Sequence, residues 1–266
     1  MVQLARPASQ PASQRASQPL RYQDIDLMPR GRHLFLGTTG SGKSTVLERL
    51  AERWNSSQPQ ARTLILDSKP RFRAEWELNG LSAGRRYKKW RRGPVMQNSV
   101  ALDFSGHSGS IRAQLKQAWG LGYPTVIAQT GEQSELGYLR AAAHWFYADA
   151  QDSKSQLLIV DELADYFGTS GAAARGDALL KTVRSGREMN VSFAGAAQRP
   201  KGLPHSFMTE VSALYLFSLA SEKDMAHLDD LGLPGGATPP RDNHVFYYWN
   251  RDRRAGGYAR LGDVGK

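Results

Sequence analysis

One eight-residue segment constrains the fold of this chain more than any other. Residues 37–44 read Gly-Thr-Thr-Gly-Ser-Gly-Lys-Ser and match G-x-x-x-x-G-K-[ST] at every fixed position. A short apolar run at 33–36 precedes the segment, and apolar residues with helical spacing follow it from Ser44 to Trp54. A strand, a glycine-rich turn and a helix in this order can hold phosphate, because glycines bring backbone N–H groups against phosphate oxygens. The segment therefore predicts a nucleotide site.

The residue types in this loop have distinct predicted roles. Lys43 supplies a mobile cation to the β- and γ-phosphates, and the Ser44 hydroxyl is placed to bind Mg²⁺. The N-terminus of the following helix adds a partial positive charge. The predicted nucleotide-binding residues are Gly37, Thr38, Thr39, Gly40, Ser41, Gly42, Lys43, Ser44 and Thr45.

An acidic pair follows a second apolar run, 156–160. Asp161 lies at the predicted C-terminal end of a buried strand, where it can hold Mg²⁺ together with Ser44. Glu162, the next residue, can polarise the attacking water as a general base, which nucleotide hydrolysis requires. In the alternative interpretation, the two acids simply open the next helix, where negative charge suits the helix dipole.

A polar residue and two arginines downstream extend the predicted site. Gln198 follows the apolar run 190–195 and is predicted to contact the γ-phosphate or the water as a sensor. Arg184 and Arg187 precede that run, where one of them could reach the site of a neighbouring subunit as an arginine finger. The alternative for each arginine is an ordinary surface residue or ion-pair partner.

The order of apolar and helical segments predicts an α/β fold. Strands are expected at 33–36, 63–67, 99–104, 125–129, 156–161, 190–195, 212–217 and 244–249, and helices at 44–54, 133–150 and 173–186. Strands alternating with helices indicate a P-loop NTPase fold, with a mainly parallel sheet covered by helices on both faces. Repeated Pro-Ala-Ser-Gln units predict a disordered tail over 1–20, followed by a single domain over 21–266.

Positive charge is concentrated in one window. The chain carries a net charge of +10, and residues 69–92 contain nine basic and two acidic residues. We interpret 69–94 as a basic insertion that contacts nucleic-acid phosphates without reading base sequence. A solvated loop, or a site for an acidic partner or another subunit, is the alternative. The predicted DNA-binding residues are Arg85, Arg86, Lys88, Lys89, Arg91 and Arg92.

Composition excludes several other classes of site. The absence of cysteine excludes disulfides, a thiol nucleophile and a thiolate zinc site, and the scattered spacing of the six histidines argues against an all-histidine metal site. No apolar run is long enough to span a membrane, and no signal peptide is recognised, so we expect a cytoplasmic protein.

Together, these motifs resemble the HerA–FtsK superfamily of DNA-pumping ATPases. The resemblance rests on Gly-Thr-Thr-Gly-Ser-Gly-Lys-Ser-Thr, the apolar run ending in Asp161-Glu162, and Ser-Gly-Arg followed by Ala-Ala-Gln-Arg-Pro, within residues 30–220. The tripeptide Gln198-Arg199-Pro200 is its most discriminating part. Leu66-Asp67-Ser68-Lys69 also looks like the strand-end D-x-K of these proteins.

The resemblance implies a RecA-like core of the ASCE type that binds ATP and Mg²⁺ and moves double-stranded DNA through a homo-oligomeric ring, typically a hexamer. It implies that Glu162 is the base and Gln198 the sensor, and it favours Arg187 over Arg184 as the arginine acting in trans. Because no accessory domain is recognised, compact viral genome-packaging ATPases are the favoured group. A portal or channel protein would then be the docking partner, at a capsid vertex or membrane complex in the host cytoplasm.

Three alternative functions also fit parts of this sequence. The first is a conjugative or plasmid DNA-transfer ATPase of the same superfamily. The second is a nucleotide-dependent assembly ATPase of the Zot type, which moves no DNA. A small-molecule kinase is disfavoured by the Asp161-Glu162 pair and the basic window.

Overall fold

A mixed β-sheet of eleven strands carries the fold. The computed structural model describes residues 31–78, 85–86, 95–104, 109–130, 136–152, 155–167, 178–186, 188–234 and 237–261. The strands are β1 (Arg32–Leu36), β2 (Arg62–Asp67), β3 (Ala74–Leu78), β4 (Arg85–Arg86), β5 (Met96–Asp103), β6 (Thr125–Gln129), β7 (Gln156–Val160), β8 (Val191–Ala197), β9 (Ala213–Leu216), β10 (Val245–Asn250) and β11 (Ala255–Arg260).

The centre of the sheet is parallel and its two edges are antiparallel. The strand order is β11-β10-β9-β1-β8-β7-β2-β6-β5-β3-β4, and every pair from β9 to β3 is parallel. At the edges, β10 pairs antiparallel with both β9 and β11, and β4 pairs antiparallel with β3. Residues 74–78 of the predicted basic insertion thus form a strand of the sheet.

Helices cover both faces of this sheet. They are α1 (Lys43–Ser57), α2 (Ile111–Gly120), α3 (Leu136–Ala148), α4 (Ala164–Phe167), α5 (Ala178–Ser185) and α6 (His205–Met208), with 3-10 helices at Asp149–Asp152 and Glu222–Leu231. Neighbouring residues of β1 point to opposite faces: Phe35 belongs to one buried cluster with Leu47 of α1, whereas Leu34 belongs to a second cluster with Leu139 of α3. Because both faces are covered, the central strands are continuously apolar, and the α/β fold predicted from the sequence is confirmed.

The parallel register brings the carboxyl ends of six strands to one edge of the sheet. Leu36 of β1 lies beside Ala197 of β8 and Leu216 of β9. On the same edge, Asp67 ends β2 beside Gln129 of β6, and β7 ends between β2 and β8. The loops that follow these strands therefore meet, which is where ligands bind in open α/β sheets.

Two features bear on the other predictions made from the sequence. The repeat tail predicted over 1–20 lies outside the described residues, as do residues 21–30 of the predicted domain. Among the helices that the structure describes, none combines the length and the apolar character needed to cross a bilayer.

Candidate nucleotide site

The glycine-rich loop is attached at its start to both neighbouring strands. Gly37 donates its backbone N–H to the Ala197 carbonyl at 3.2 Å, and Thr38 donates to the Ser218 carbonyl at 2.8 Å. A Cβ atom on Gly37 would lie 2.5 Å from Cβ of Phe217, so this close approach excludes any side chain. The amides of Gly37 and Thr38 therefore fix the loop to the sheet, so a bound phosphate would be left to the amides that follow.

Gly42 closes the loop at the N-terminus of α1. It has φ +106°, and a Cβ atom there would lie 2.1 Å from Cδ1 of Leu261. The Leu261 amide donates to the His244 carbonyl at 2.7 Å, and Arg49 of α1 donates to the Leu261 carbonyl at 3.1 Å. The chain that follows β11 thus packs directly against the end of the loop.

Lys43 points back over the loop. Its Nζ donates to the Gly37 carbonyl at 2.6 Å and to the Thr38 carbonyl at 2.9 Å, and the residue is 5% exposed. Burial lowers the pKa of Lys43 to about 8, an effect that the Glu162 carboxylate opposes and the Arg71 charge reinforces. The amine still carries its charge near neutral pH, so it is able to neutralise phosphate oxygens bound at the loop.

The structure joins the two predicted metal-binding residues. The Ser44 hydroxyl donates to Oδ1 of Asp161 at 3.0 Å, across two segments far apart in the sequence. Oδ2 of Asp161 is buried, accepts no hydrogen bond from the described residues, and lies 3.3 Å from Nη1 of Arg71. Burial raises the pKa of Asp161, whereas Arg71 and the Ser44 hydrogen bond lower it.

This donor set fits Mg²⁺. A hydroxyl and one carboxylate are hard oxygen ligands, and Mg²⁺ in nucleotide sites is held by few protein ligands plus substrate phosphates. Within the described ranges, no group of three His, Cys, Asp or Glu side chains forms an all-protein metal cage. Ser44 and Asp161 are therefore the residues that would hold Mg²⁺ with a bound nucleotide.

Glu162 and Gln198 also meet at this edge. Nε2 of Gln198 donates to Oε2 of Glu162 at 3.1 Å, and Glu162 is 2% exposed. Oε1 of Glu162 is buried without a hydrogen-bond partner among the described residues. One oxygen of the carboxylate is thus fixed by Gln198, and the other is available to accept a proton from a water molecule.

A third element of the site is the loop after β2, which carries residues that the sequence analysis assigned elsewhere. Lys69 Nζ lies 3.8 Å from Oε2 of Glu162 and 3.4 Å from Oδ2 of Asp165. With Arg71 beside Asp161, two cations of the predicted basic window face the acids of the site. The sequence indicates Asp67 and Lys69 through the strand-end D-x-K pattern, whereas it indicates Arg71 only as part of the basic window.

Other predicted residues lie away from this cluster or outside the described residues. Arg187, the predicted arginine finger, lies outside them, and Arg184 is exposed in the last turn of α5. Of Arg85 and Arg86 the structure describes only the backbone, as strand β4. The remaining predicted DNA contacts, which are Lys88, Lys89, Arg91 and Arg92, lie outside the described residues.

A cavity of about 620 Å³ opens beside Thr45, on the side of α1 that faces the chain after β11. Its other walls are Asp242, Asn243, His244, Arg260 and Leu261. His244 has φ +65°, a strained backbone conformation for a residue with a side chain. The cavity is large enough for a nucleoside and adjoins the phosphate loop.

Comparison with solved structures identifies the fold. The genome packaging NTPase B204 from Sulfolobus turreted icosahedral virus 2, in complex with AMPPCP, matches with a TM-score of 0.60 and 10% identity, over 88% of this chain and 98% of B204. B204 from Sulfolobus Turreted Icosahedral Virus, described as a DNA-packaging ATPase, matches with a TM-score of 0.55 and 11% identity, over 87% of this chain and 98% of that one.

A bacterial ATPase shares the same fold. EssC (ATPases 2 and 3) from Geobacillus thermodenitrificans matches with a TM-score of 0.51 and 11% identity, over 87% of this chain and 40% of EssC. No family model matches this chain, and no curated protein matches its sequence. The resemblance to HerA–FtsK ATPases is therefore matched at the level of the fold, which this chain shares with these P-loop ATPases.

Proposed function

We propose that this chain is an ATPase that couples ATP hydrolysis to the movement of double-stranded DNA, as a ring-forming motor that packages a viral genome. The observation that carries the proposal is the convergence of two residue pairs beside the glycine-rich loop. Ser44 and Asp161 provide the metal-binding pair, and Glu162 and Gln198 provide the base with its orienting partner.

The residues of the candidate nucleotide site have different roles in hydrolysis. Ser44 and Asp161 would hold Mg²⁺, which would supply positive charge to the phosphates of a bound nucleotide. Lys43 leaves the carbonyls of Gly37 and Thr38 and donates to the β- and γ-phosphate oxygens, as this loop lysine does in P-loop sites. These contacts hold the γ-phosphorus in line with an attacking water.

Glu162 then accepts a proton from that water. The oxygen of the water forms a bond to the γ-phosphorus, and the bond from the γ-phosphorus to the bridging oxygen breaks, which yields ADP and inorganic phosphate. Gln198 holds Oε2 of Glu162, so that Oε1 faces the water. The buried position of Glu162 keeps bulk water from competing for its proton.

The cavity beside Thr45 would take the nucleoside. Thr45 follows Ser44 on α1, so a nucleotide whose phosphates lie on the loop extends past Thr45 toward His244 and Asn243. An imidazole ring can stack on a base, and the Asn243 amide offers both a donor and an acceptor. This arrangement supports a nucleoside triphosphate as the substrate.

The movement of DNA is supported by fold and charge. The genome packaging NTPase B204 aligns with this chain over 98% of its own length. With Lys69 and Arg71 engaged at the acidic site, the charge left for a polyanion lies in residues 85–92, where six of eight residues are basic. A portal or channel protein would be the docking partner of such a motor in the cytoplasm.

The test is ATP hydrolysis over a protein-concentration series, with and without long duplex DNA. We expect the rate per subunit to rise cooperatively with protein concentration and to increase with DNA. Glu162→Gln should bind ATP and lower kcat by about 10²–10⁴-fold, the usual contribution of a general base. Glu188→Gln, at an exposed acid after α5, is the matched control.

Each part of the proposal has its own contradicting outcome. A Glu162→Gln variant with the same rate as Glu188→Gln removes Glu162 as the base. Activity that is linear in protein concentration and indifferent to DNA contradicts a ring motor and favours an assembly ATPase. Phosphorylation of an added small molecule in place of water would indicate a kinase.

A further inference from the structure

The loop between β2 and β3 is held in one conformation by a single buried carboxylate. Oδ2 of Asp67 accepts the backbone N–H groups of Arg71 at 2.7 Å and Phe72 at 2.9 Å, and Nε2 of Gln129 at 2.8 Å. Gln129 also donates to the Phe72 carbonyl at 3.0 Å. Asp67 is fully buried, so the backbone of Arg71 is fixed from the interior of the fold.

This anchored backbone aims the Arg71 side chain at the phosphate end of the site. Its Nη1 lies 3.3 Å from Oδ2 of Asp161, and the other oxygen of that carboxylate accepts the Ser44 hydroxyl. The Arg71 charge also reaches Lys43, whose pKa it helps to lower, although burial is the larger cause. Arg71 therefore shares one small space with the lysine and the serine of the phosphate loop.

The ion pair with Arg71 engages the same carboxylate that would help to hold Mg²⁺. A cation beside Asp161 competes with the Mg²⁺ that the same carboxylate would help to hold, so the pair must separate when nucleotide binds. The Arg71 side chain is 29% exposed, which leaves it room to move, whereas its backbone is fixed. Once freed from Asp161, the Arg71 guanidinium could turn toward a γ-phosphate bound by Lys43, since Arg71 lies near enough to Lys43 for their charges to interact.

From this geometry we propose that Arg71 is a catalytic residue that acts in cis on the γ-phosphate. The proposal rests on the proposed ATPase function. Without nucleotide, Arg71 neutralises Asp161. With nucleotide bound, Arg71 leaves Asp161, whose charge is then balanced by the bound cation, and donates to γ-phosphate oxygens. There it stabilises the charge that develops as the water oxygen bonds to phosphorus and the bridging bond breaks.

The anchoring by Asp67 is what makes this role effective. A cation stabilises a transition state most when it is already positioned and need not be reorganised during the reaction. The arginine predicted to act in trans requires a neighbouring subunit, whereas Arg71 belongs to the same chain as Lys43 and Glu162. Each subunit would therefore carry one arginine for its own nucleotide.

The test uses Arg71→Ala, Arg71→Lys and a control, Arg62→Ala. Arg62 begins β2 at the opposite end of the strand from Asp67, and its guanidinium lies over the Trp119 ring at 5.0 Å. For each variant, kcat and KM for ATP are measured. Affinities for ADP alone and for ADP with aluminium fluoride, a mimic of the transferring phosphoryl group, are measured separately by calorimetry.

We expect Arg71→Ala to lower kcat by about 10²-fold or more relative to Arg62→Ala, with KM changed only a few-fold. The preference for ADP with aluminium fluoride over ADP alone should fall by a similar factor. Arg71→Lys should recover only part of this preference, because an ammonium lacks the planar fork of the guanidinium. The lysine variant keeps the charge beside Asp161, so it tests the proposal even where Arg71→Ala folds poorly.

Mixing distinguishes action in cis from action in trans. Arg71→Ala mixed with Glu162→Gln should regain no activity, because neither chain then holds both groups at one site. Recovery on mixing overturns the proposal, and so does a kcat equal to that of Arg62→Ala. A lowered kcat with an unchanged preference for the fluoride complex also overturns it, since Arg71 would then act through structure alone. A wild-type chain that hydrolyses no ATP contradicts the proposed function itself.

Discussion

Replacing Asp67 by alanine and by asparagine separates two properties of this buried carboxylate: it accepts hydrogen bonds and it carries charge. Alanine leaves the Phe72 amide and the Gln129 side-chain amide without their acceptor, in places that are at most 3% exposed. Each buried donor without a partner costs about 1–3 kcal/mol. Because both variants remove the charge, we expect Asp67→Ala to have a free energy of unfolding about 2–5 kcal/mol below that of Asp67→Asn, which keeps an acceptor oxygen.

Asparagine keeps an oxygen for these donors and removes the charge. Burial raises the pKa of Asp67 from 3.8 to about 6, the Asp161 charge adds to this increase, and the hydrogen bonds from Arg71, Phe72 and Gln129 oppose it. A shift of about two units corresponds to about 3 kcal/mol against the charged form at neutral pH. Asparagine removes this penalty on the charged form, which offsets its weaker hydrogen bonds to the same donors. We therefore expect the free energy of unfolding of Asp67→Asn to stay within about 2 kcal/mol of the wild-type value.

The same shift predicts how stability depends on pH. The native state binds the Asp67 proton more tightly than the unfolded chain does, so this group's contribution to stability falls as pH rises from about 4 to about 6. The stability of Asp67→Asn does not depend on pH in this way. Its free energy of unfolding, relative to that of the wild type, should therefore increase by about 2 kcal/mol between pH 4 and pH 7. Asp252→Asn, an exposed position in the turn after β10, should show no such gain.

Urea unfolding followed by the fluorescence of the six tryptophans measures these differences. Equal stabilities for Asp67→Ala and Asp67→Asn would show that the three N–H groups do not depend on Asp67. An Asp67→Asn variant that gains nothing between the two pH values would refute the raised pKa.

Three further predictions test other parts of the site. Gly42→Ala should lower the free energy of unfolding by about 1–3 kcal/mol more than Gly40→Ala, because both glycines have positive φ but only Gly42 contacts Leu261; equal urea midpoints would contradict this contact. His244→Ala should lower the ratio of ATP affinity to inorganic triphosphate affinity, measured by calorimetry, and an unchanged ratio would exclude the cavity beside Thr45 as the nucleoside site. The basic window is tested by a quadruple alanine variant of Arg85, Arg86, Lys88 and Lys89. Its plot of log affinity for duplex DNA against log salt should be shallower by about 3–4, and an unchanged slope would place the DNA contact elsewhere.

The strands that the sequence predicted are those whose position in the fold leaves a signal in the sequence. The runs at 63–67, 125–129 and 156–161 are buried on both faces, so they are continuously apolar, and the observed strands β2, β6 and β7 begin and end within one residue of them. Strands β3 and β11 were not predicted. They lie near the sheet edges, and their sequences Ala-Glu-Trp-Glu-Leu and Ala-Gly-Gly-Tyr-Ala-Arg lack an apolar run, so tertiary pairing decides their conformation.

Within the site, the sequence indicated the residues of local motifs and missed those that the fold brings in from elsewhere. Glycine spacing and an acidic pair after an apolar run are local patterns, and they led to Lys43, Asp161 and Glu162. Arg71 lies some ninety residues before Asp161, and no local pattern connects them. Helix α2 was also not predicted, although its buried residues Ile111, Leu115 and Ala118 have the spacing of a helix face and could have indicated it.

The contact between Leu261 and Gly42 has a consequence for the order in which the molecule folds. The phosphate loop comes early in the described chain, and the residue that packs on its last glycine comes at the other end of it. Contacts between such distant residues close late, because the entropy of a large chain loop must be lost before they form. Strands β10 and β11 must therefore join the sheet before Leu261 can pack against Gly42. We expect a refolding chain to regain most of its helix and sheet signal before it regains the ability to retain a nucleotide.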